Sequence, residues 1–340
     1  MATDEIDLGP DPADAPPLRW GILGPGGIAR RFAADVPAHT AASIVAVGSR
    51  SQGRAAAFAE EFAIPTAHGS YADLVADPQV EAIYIASPHS EHLEHALLAL
   101  RGGKPVLVEK SLTRNAGEAR RLFEEAAAQN LFAMEAMWTR FLPHMVALRD
   151  LLAREVIGTV RMLTAEHGQG LNHVPDTHRM KNPELAGGAM LDLTVYPISF
   201  AHDVLGVPDQ VLALGTKAST GVDATESVSL RYGNDAVALL GASMMAATPN
   251  NAVISGTEGR IEIDGTFYAP SRLTVRRTDA DPVEVSPAVG SGFEYQAAEV
   301  ARRIHAGDTE SPLHTWADTI AVMETMDAAR EQLGVRLPGE

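Results

Sequence analysis

Between Arg19 and Trp138, short β-branched apolar runs alternate with alanine-rich stretches whose apolar residues recur every three or four positions. The runs at 19–24, 43–49, 82–87, 105–110 and 131–136 predict strands, and the stretches between them predict helices. One of these, NAGEARRLFEEAAAQN, opens with Asn115 and has Glu118 three residues on, a helix-start signal. Strand-helix alternation of this kind predicts a parallel, doubly wound sheet.

Beyond Trp138 the period changes. A helix (PHMVALRDLLARE) and a strand (VRMLTAEHG) lead into a polar, irregular segment at 169–188 and then a helix over 189–205, in which Pro197 predicts a bend just after Tyr196. From 210 to about 285 several strands follow one another through the turn signals TGVDAT, YGND and DG, and two helical stretches close the chain. The expected fold class is therefore α/β: a doubly wound N-terminal domain, then an α+β domain with an open, mostly antiparallel sheet. The expected boundaries are a flexible acidic tail at 1–17, a nucleotide-type domain at 18–138, and a substrate-binding and oligomerisation domain at 139–340, whose last helices can pack back on the first domain.

Composition narrows the partners. A chain of 340 residues exceeds the usual span of one core. A formal net charge of −17 argues against nucleic acid and anionic membranes, which call for clustered Lys and Arg. There is no cysteine, so disulfides and thiolate chemistry are excluded. The first seventeen residues hold five acids and four prolines and lack the basic start and apolar middle of a secretory signal. No apolar run approaches a membrane span, and the expected location is cytoplasmic.

Gly24-Pro25-Gly26-Gly27-Ile28-Ala29 matches G-x-G-x-x-A, between a predicted strand and a predicted helix. The physical use of that pattern is a Rossmann dinucleotide site: a tight turn at Gly24, close approach of backbone to pyrophosphate at Gly26, and close helix packing at Ala29. The helix N-terminus then favours the phosphates. At the end of the second strand stand Ser49, Arg50 and Ser51, with Arg54 a turn later and no acid before Glu60. A guanidinium suits the 2′-phosphate of NADP, whereas NAD sites commonly place a carboxylate there, so NADP is favoured over NAD. Two further strand ends point to the same edge: Ser87-Pro88-His89 with His92 beyond, and Glu109-Lys110. In the second domain, Asp192 and Tyr196 fall four apart on one helix face.

Together the glycine loop, VEK, EAMWTR and GGAMLDLTVY resemble the Gfo/Idh/MocA oxidoreductases, in particular their dihydrodiol and D-xylose dehydrogenase subgroup, from about Leu18 to the C-terminus. The resemblance implies that Lys110 is the family's lysine, Tyr196 the acid/base, and Asp192 the acid one turn before it. It also implies that Trp138 and Arg140 help line the nicotinamide pocket, that His89 and His92 border the cofactor, and that the open sheet forms a homodimer or homotetramer. Ser111 stands where the family signature has proline, so a cis turn is not assumed. The expected reaction is hydride transfer between NADP and an alcohol, carbonyl or hemiacetal carbon of a sugar or polyol, with no metal. A free tyrosine has a pKa of about 10. An ammonium at ~4 Å in an effective dielectric of ~20 stabilises its phenolate by about 4 kcal/mol at most, and burial of the phenol opposes this. The segment 171–180 offers Asn172, His173, His178 and Arg179 to substrate hydroxyls, a use favoured over metal ligation because Asp176 is the lone carboxylate nearby. The other activities left open are trans-dihydrodiol dehydrogenase, sugar-nucleotide ketoreductase and aldose–aldose oxidoreductase with retained cofactor. An NADP- and sugar-binding sensor without turnover is the non-enzymatic alternative, disfavoured because Lys110 and Tyr196 are both present.

Overall fold

The computed structural model describes residues 6–278 and 280–340, in two compact units. One unit comprises residues 10–138 and 291–320, the other residues 6–9, 139–290 and 321–340.

The first unit is built on β1 (Arg19–Leu23), α1 (Gly27–His39), β2 (Ser43–Gly48), α2 (Gln52–Glu61), β3 (Thr66–His68), α3 (Tyr71–Ala76), β4 (Ala82–Ile85), α4 (His92–Arg101), β5 (Val106–Glu109), α5 (Ala116–Gln129) and β6 (Ala133–Ala136). The strands form one parallel sheet in the order β3-β2-β1-β4-β5-β6. All five predicted strands are present. β3 was not foreseen, since three half-buried residues carry too little pattern to register. The order reverses between β1 and β4, which opens the crevice where doubly wound folds bind ligands. Aromatic packing fixes the helix at that crevice: Phe32 of α1 stacks on Tyr84 of β4 at 3.9 Å and meets Trp20 of β1 edge-on at 5.3 Å. The expected start of α5 holds, with the Asn115 side chain accepting from Glu118 N–H at 2.9 Å.

The acidic N-terminal stretch differs from expectation. Residues 1–5 lie outside the described residues, but Pro12–Asp14 form a 3-10 turn capped by Asp11, Pro12 and Ala15 are buried, and Arg302 donates to Asp11 O at 2.6 Å. A turn cap and the burial of Pro12 and Ala15 thus stand where proline and acid content suggested solvation.

The second unit contains α6 (Pro143–Ala153), β7 (Val160–Gly168), α7 (Val195–Leu205), β8 (Gln210–Lys217), β9 (Asp223–Arg231), β10 (Val237–Ser243), β11 (Ala252–Gly256), β12 (Gly259–Ile263), β13 (Leu273–Arg277) and β14 (Val283–Val285). Two C-terminal helices follow the sheet in sequence, α8 (Phe293–Ala306) and α9 (Trp316–Leu333). The eight strands form one sheet, β14-β13-β12-β11-β7-β10-β9-β8, antiparallel except for the β7–β10 pair. Leu163, Ala165, Val228, Leu230, Ala238 and Leu240 are buried, while the alternate residues Met162, Leu212, Leu214, Val237 and Leu239 are exposed. One face of the sheet is thus core, and the other exposes apolar side chains among the described residues.

The expected helix at 189–205 is not continuous. Met190–Thr194 form a π turn, and regular helix begins at Val195. The irregularity therefore precedes Tyr196, where a bend was expected after it. Pro197 has no N–H to give the Leu193 carbonyl four residues back, so the turn widens. His167 on β7 answers that carbonyl instead, with Nδ1 at 3.2 Å from Leu193 O.

Candidate active site

The dinucleotide end is assembled by backbone. Gly24 sits at φ +94°, a conformation that side chains rarely adopt, and a Cβ there would meet Ala86 O at 3.2 Å. Around Gly27 a Cβ would meet nothing within 4 Å. α1 has no side-chain cap, and its first backbone bond runs from Arg30 N–H to Gly26 O, so the N–H groups of Gly27, Ile28 and Ala29 precede the helical ladder. Donors, helix dipole and clearance together suit a pyrophosphate. At the end of β2, Ser49 is buried and accepts from Ser51 N–H at 3.2 Å, and Ser51 Oγ caps α2 by accepting from Arg54 N–H at 3.4 Å. Arg50 and Arg54 are exposed beside them. Arg50 adds its positive charge to burial and the neighbouring His92 in lowering the His95 pKa to about 4.

The β4 and β5 ends are tied to each other. His89 Nε2 lies 3.1 Å from Lys110 O, and Glu109 Oε2 accepts from Lys110 N–H at 3.2 Å. His92 places Nδ1 3.0 Å from Ser111 O and Nε2 2.8 Å from Ser87 O. Leu112 N–H donates to Glu135 Oε1 at 2.9 Å, and the other oxygen of Glu135 meets His314 Nε2 at 3.0 Å. Glu109 also accepts from Tyr84 Oη. The peptide Lys110–Ser111 is cis, as the family's proline signature would have it, although serine occupies the position. His92 is 0% exposed, and burial holds its pKa below the usual imidazole range. Its ring nitrogens meet the carbonyls of Ser87 and Ser111, so His92 braces the loop that carries Lys110.

Trp138 stacks on Phe293 at 4.8 Å. Arg140, a residue 5% exposed, is directed to α7, with Nε 3.3 Å from Ser199 Oγ, Nη2 3.3 Å from Ser199 O and Nη1 3.4 Å from Asp203, so that it holds α7 in place.

In the second unit Asp192 and Tyr196 are both buried, at 6% and 8% exposure. Tyr196 lies in an aromatic cluster, 4.7 Å from Tyr268 and 5.3 Å from His167 between ring centroids. Gln169 Nε2 lies 3.0 Å from His167 Nε2, and the other ring nitrogen, Nδ1, lies 3.2 Å from Leu193 O. Arg179 reaches Asp192 at 2.7 Å, its own side chain 57% exposed. The segment before the π turn folds on itself: His173 Nδ1 lies 3.1 Å from Gly170 O, His178 Nδ1 accepts from Met180 N–H at 3.3 Å, and buried Lys181 donates to the carbonyls of Asn172 and Val174 at 3.3 and 2.8 Å. Loop closure is what these histidines do here, while Asn172 and His173 remain exposed.

Several residues that organise the site carried no sequence signal. His167, Tyr268, Asp223 and Glu226 lie far along the chain from the groups they meet, and each sits in a segment read only as strand or turn.

The comparisons agree with this architecture. Residues 18–136 match the oxidoreductase family with an NAD-binding Rossmann fold, and residues 145–262 match the Gfo/Idh/MocA C-terminal domain. The chain is 38% identical over 331 residues to trans-1,2-dihydrobenzene-1,2-diol dehydrogenase of Mus musculus, covering 94% of this chain and 98% of that one. It is 37% identical over 368 residues to D-xylose 1-dehydrogenase (NADP(+)) of Hypocrea jecorina, covering 94% and 93%. A 3-ketoreductase from Actinomadura kijaniata, solved with NADP and TDP-benzene, superposes with a TM-score of 0.83 at 27% identity over 93% of this chain and 98% of that one. The protein therefore belongs to the Gfo/Idh/MocA oxidoreductase family.

Proposed function

We propose that this chain is an NADP-dependent oxidoreductase that moves a hydride between the cofactor and an alcohol, carbonyl or hemiacetal carbon of a sugar or related polyol. The carrying observation is the glycine cradle at the start of α1 with Arg50 after the end of β2, since their donors and charge suit a pyrophosphate and a 2′-phosphate. NADP, when bound, accepts or supplies the hydride. The amides of Gly27 to Ala29 and the side chains of Ser49, Arg50 and Arg54 are the groups that would hold it.

The protein's own task is then one proton. In the oxidising direction, the substrate hydroxyl gives its proton to the Tyr196 oxygen as its carbon loses the hydride; in reduction the phenol returns it. Lys110 lowers the cost of the phenolate and of the developing alkoxide. Asp192, already paired with Arg179, orients substrate hydroxyls through that pair. The relatives named as dehydrogenases of D-xylose and of a dihydrodiol support the substrate class, and the presence of both Lys110 and Tyr196 supports turnover over sensing.

The exposed apolar face made by Met162, Leu212, Leu214, Val237 and Leu239 supports self-association through the open sheet, its stoichiometry readable by sedimentation equilibrium. Among the described residues no helix is long and apolar enough to cross a membrane. A cytoplasmic location belongs to the same reading and is checked by fractionation.

A panel of aldoses, anhydro-sugars and aromatic dihydrodiols, assayed with NADP and NAD in parallel, tests the reading. Tyr196→Phe should lower kcat by about a hundredfold or more, in the range of general acid–base catalysis, with NADP affinity kept. Full activity in that variant, or turnover with NAD alone, defeats it.

A further inference from the structure

The segment that carries Asp192 and Tyr196 starts abruptly after Gly188, and no side chain at its N-terminus caps it. The first N–H groups of a helical segment need acceptors. Here the acceptor is Asp223, a buried residue at the start of β9, whose carboxylate takes a hydrogen bond from the backbone N–H of Met190. Gly188 makes room for it. Its φ is +131°, and a Cβ there would fall inside van der Waals contact of the Asp223 carboxylate. Gly187 is equally constrained, since its Cβ would collide with the carbonyls of Arg179 and Met180.

Three residues further along β9, buried Glu226 shares a hydrogen bond with Thr194 Oγ1, at the other end of the π turn. The nearby cation does not explain the pair. Arg330 is held directly by Asp327 at 2.8 Å and Glu340 at 2.7 Å, and acts on Asp223 and Glu226 only through space. A helix start is the direct partner of Asp223.

We propose that Asp223 is a positioning residue for the proton-transfer group: as a remote N-cap it fixes where the π turn begins, and with Glu226 holding Thr194 it sets the reach and rotation of Asp192 and Tyr196. The proposal rests on the reading of Tyr196 as the acid/base. Catalysis is sensitive to such anchoring, because a misplacement of ~1 Å costs about a hundredfold in rate.

The test is a set of variants of the full chain, with kcat and NADP affinity measured for each. Asp223→Ala should lower kcat about thirtyfold, and Asp223→Asn, which keeps one acceptor oxygen, about threefold, as expected when a cap is lost or weakened. NADP affinity should stay within about twofold in both, because the cradle lies in the other unit. In the Tyr196→Phe background either Asp223 change should cost nothing further, since a residue acting through the phenol has nothing left to position. A merely structural role would instead multiply through. An Asp223→Ala enzyme with wild-type kcat, an undiminished loss on top of Tyr196→Phe, or a parallel loss of NADP affinity overturns the proposal. Should Asp223→Ala not fold, Asp223→Asn decides by the same two readings: a loss absorbed by Tyr196→Phe supports it, and an unchanged kcat overturns it. If Tyr196→Phe is itself fully active, the acid/base reading falls and takes this proposal with it. If Tyr196→Phe is inactive and Asp223→Ala is not, this proposal alone falls.

Discussion

Gly26–Gly27 follow β1, and Gly187–Gly188 precede the π turn; each pair opens a helical segment, and each lacks side chains for a different reason. A Cβ on Gly27 would meet nothing within 4 Å, and one on Gly26 would meet only Ala86 O, at 3.7 Å. A Cβ on Gly187 or Gly188 would run into carbonyls of the preceding loop or into the Asp223 carboxylate. The first helix has no side-chain cap at its N-terminus, whereas in the second the Met190 N–H is met by a carboxylate from the same chain. The lesson is that one motif, bare glycine before a helix, reads as a binding cradle only when the space a side chain would fill is not already taken by the protein.

That contrast breaks cleanly under substitution. The largest effect is expected at Gly188→Ala, where strain at φ +131° and eviction of the Asp223 cap together cost roughly 2–4 kcal/mol, seen as a fall in Tm and in active yield. An unchanged Tm would mean that the packing around Gly188 yields freely. Gly27→Asp should do the opposite for stability and more damage to binding. A carboxylate in the first turn of α1 stabilises the helix by about 0.3–1 kcal/mol while occupying the phosphate site, so Tm holds or rises and the NADP KM climbs by about a hundredfold. An unaffected KM would remove the cradle from the binding site.

The smallest effect concerns the buried acids behind the second glycine pair. Burial, then the charge of Asp223, raises the Glu226 pKa well above its ordinary value. The folded state therefore keeps a proton on Glu226 at pH values where the unfolded chain has lost it. Native protein binds more protons than unfolded protein in that window, so stability falls as pH rises from the ordinary carboxyl range through the raised pKa. Glu226→Gln, which cannot ionise, should flatten that decline in a Tm–pH series. A decline of unaltered slope would assign it to other groups.

Legibility followed range along the chain. β1, β2, β4, β5 and β6, the glycine turn and the Asn115 cap are set by neighbours within a few residues, and periodicity exposes them. The parallel sense of the first sheet followed from the same alternation. β3 escaped because three residues show no period. The site was legible where it rests on backbone motif, as at Gly24 to Ala29, and illegible where a side chain is committed to a distant partner. Arg140 has the charge and position of a ligand contact, but Ser199 and Asp203 take its donors. His92 is a polar residue near a strand end, but the ends of β4 and β5 close over it. Asp223 and Glu226 lie in a stretch that reads as turn and strand, and nothing nearby in sequence points them at Met190 and Thr194.

The π turn has a consequence for how such a site can diverge. Residues from Val195 to His202 are buried as a block, while Met190 to Thr194 form a wider coil ahead of the proline. Loss of a single residue from that coil would restore ordinary pitch and rotate everything upstream by about 100° about the axis, leaving the block downstream seated. Asp192 would swing away while Tyr196 kept its place. Tyr196 and Asp192 are thus joined by a length of chain with one residue of slack, through which their spacing can change without disturbing the core beneath.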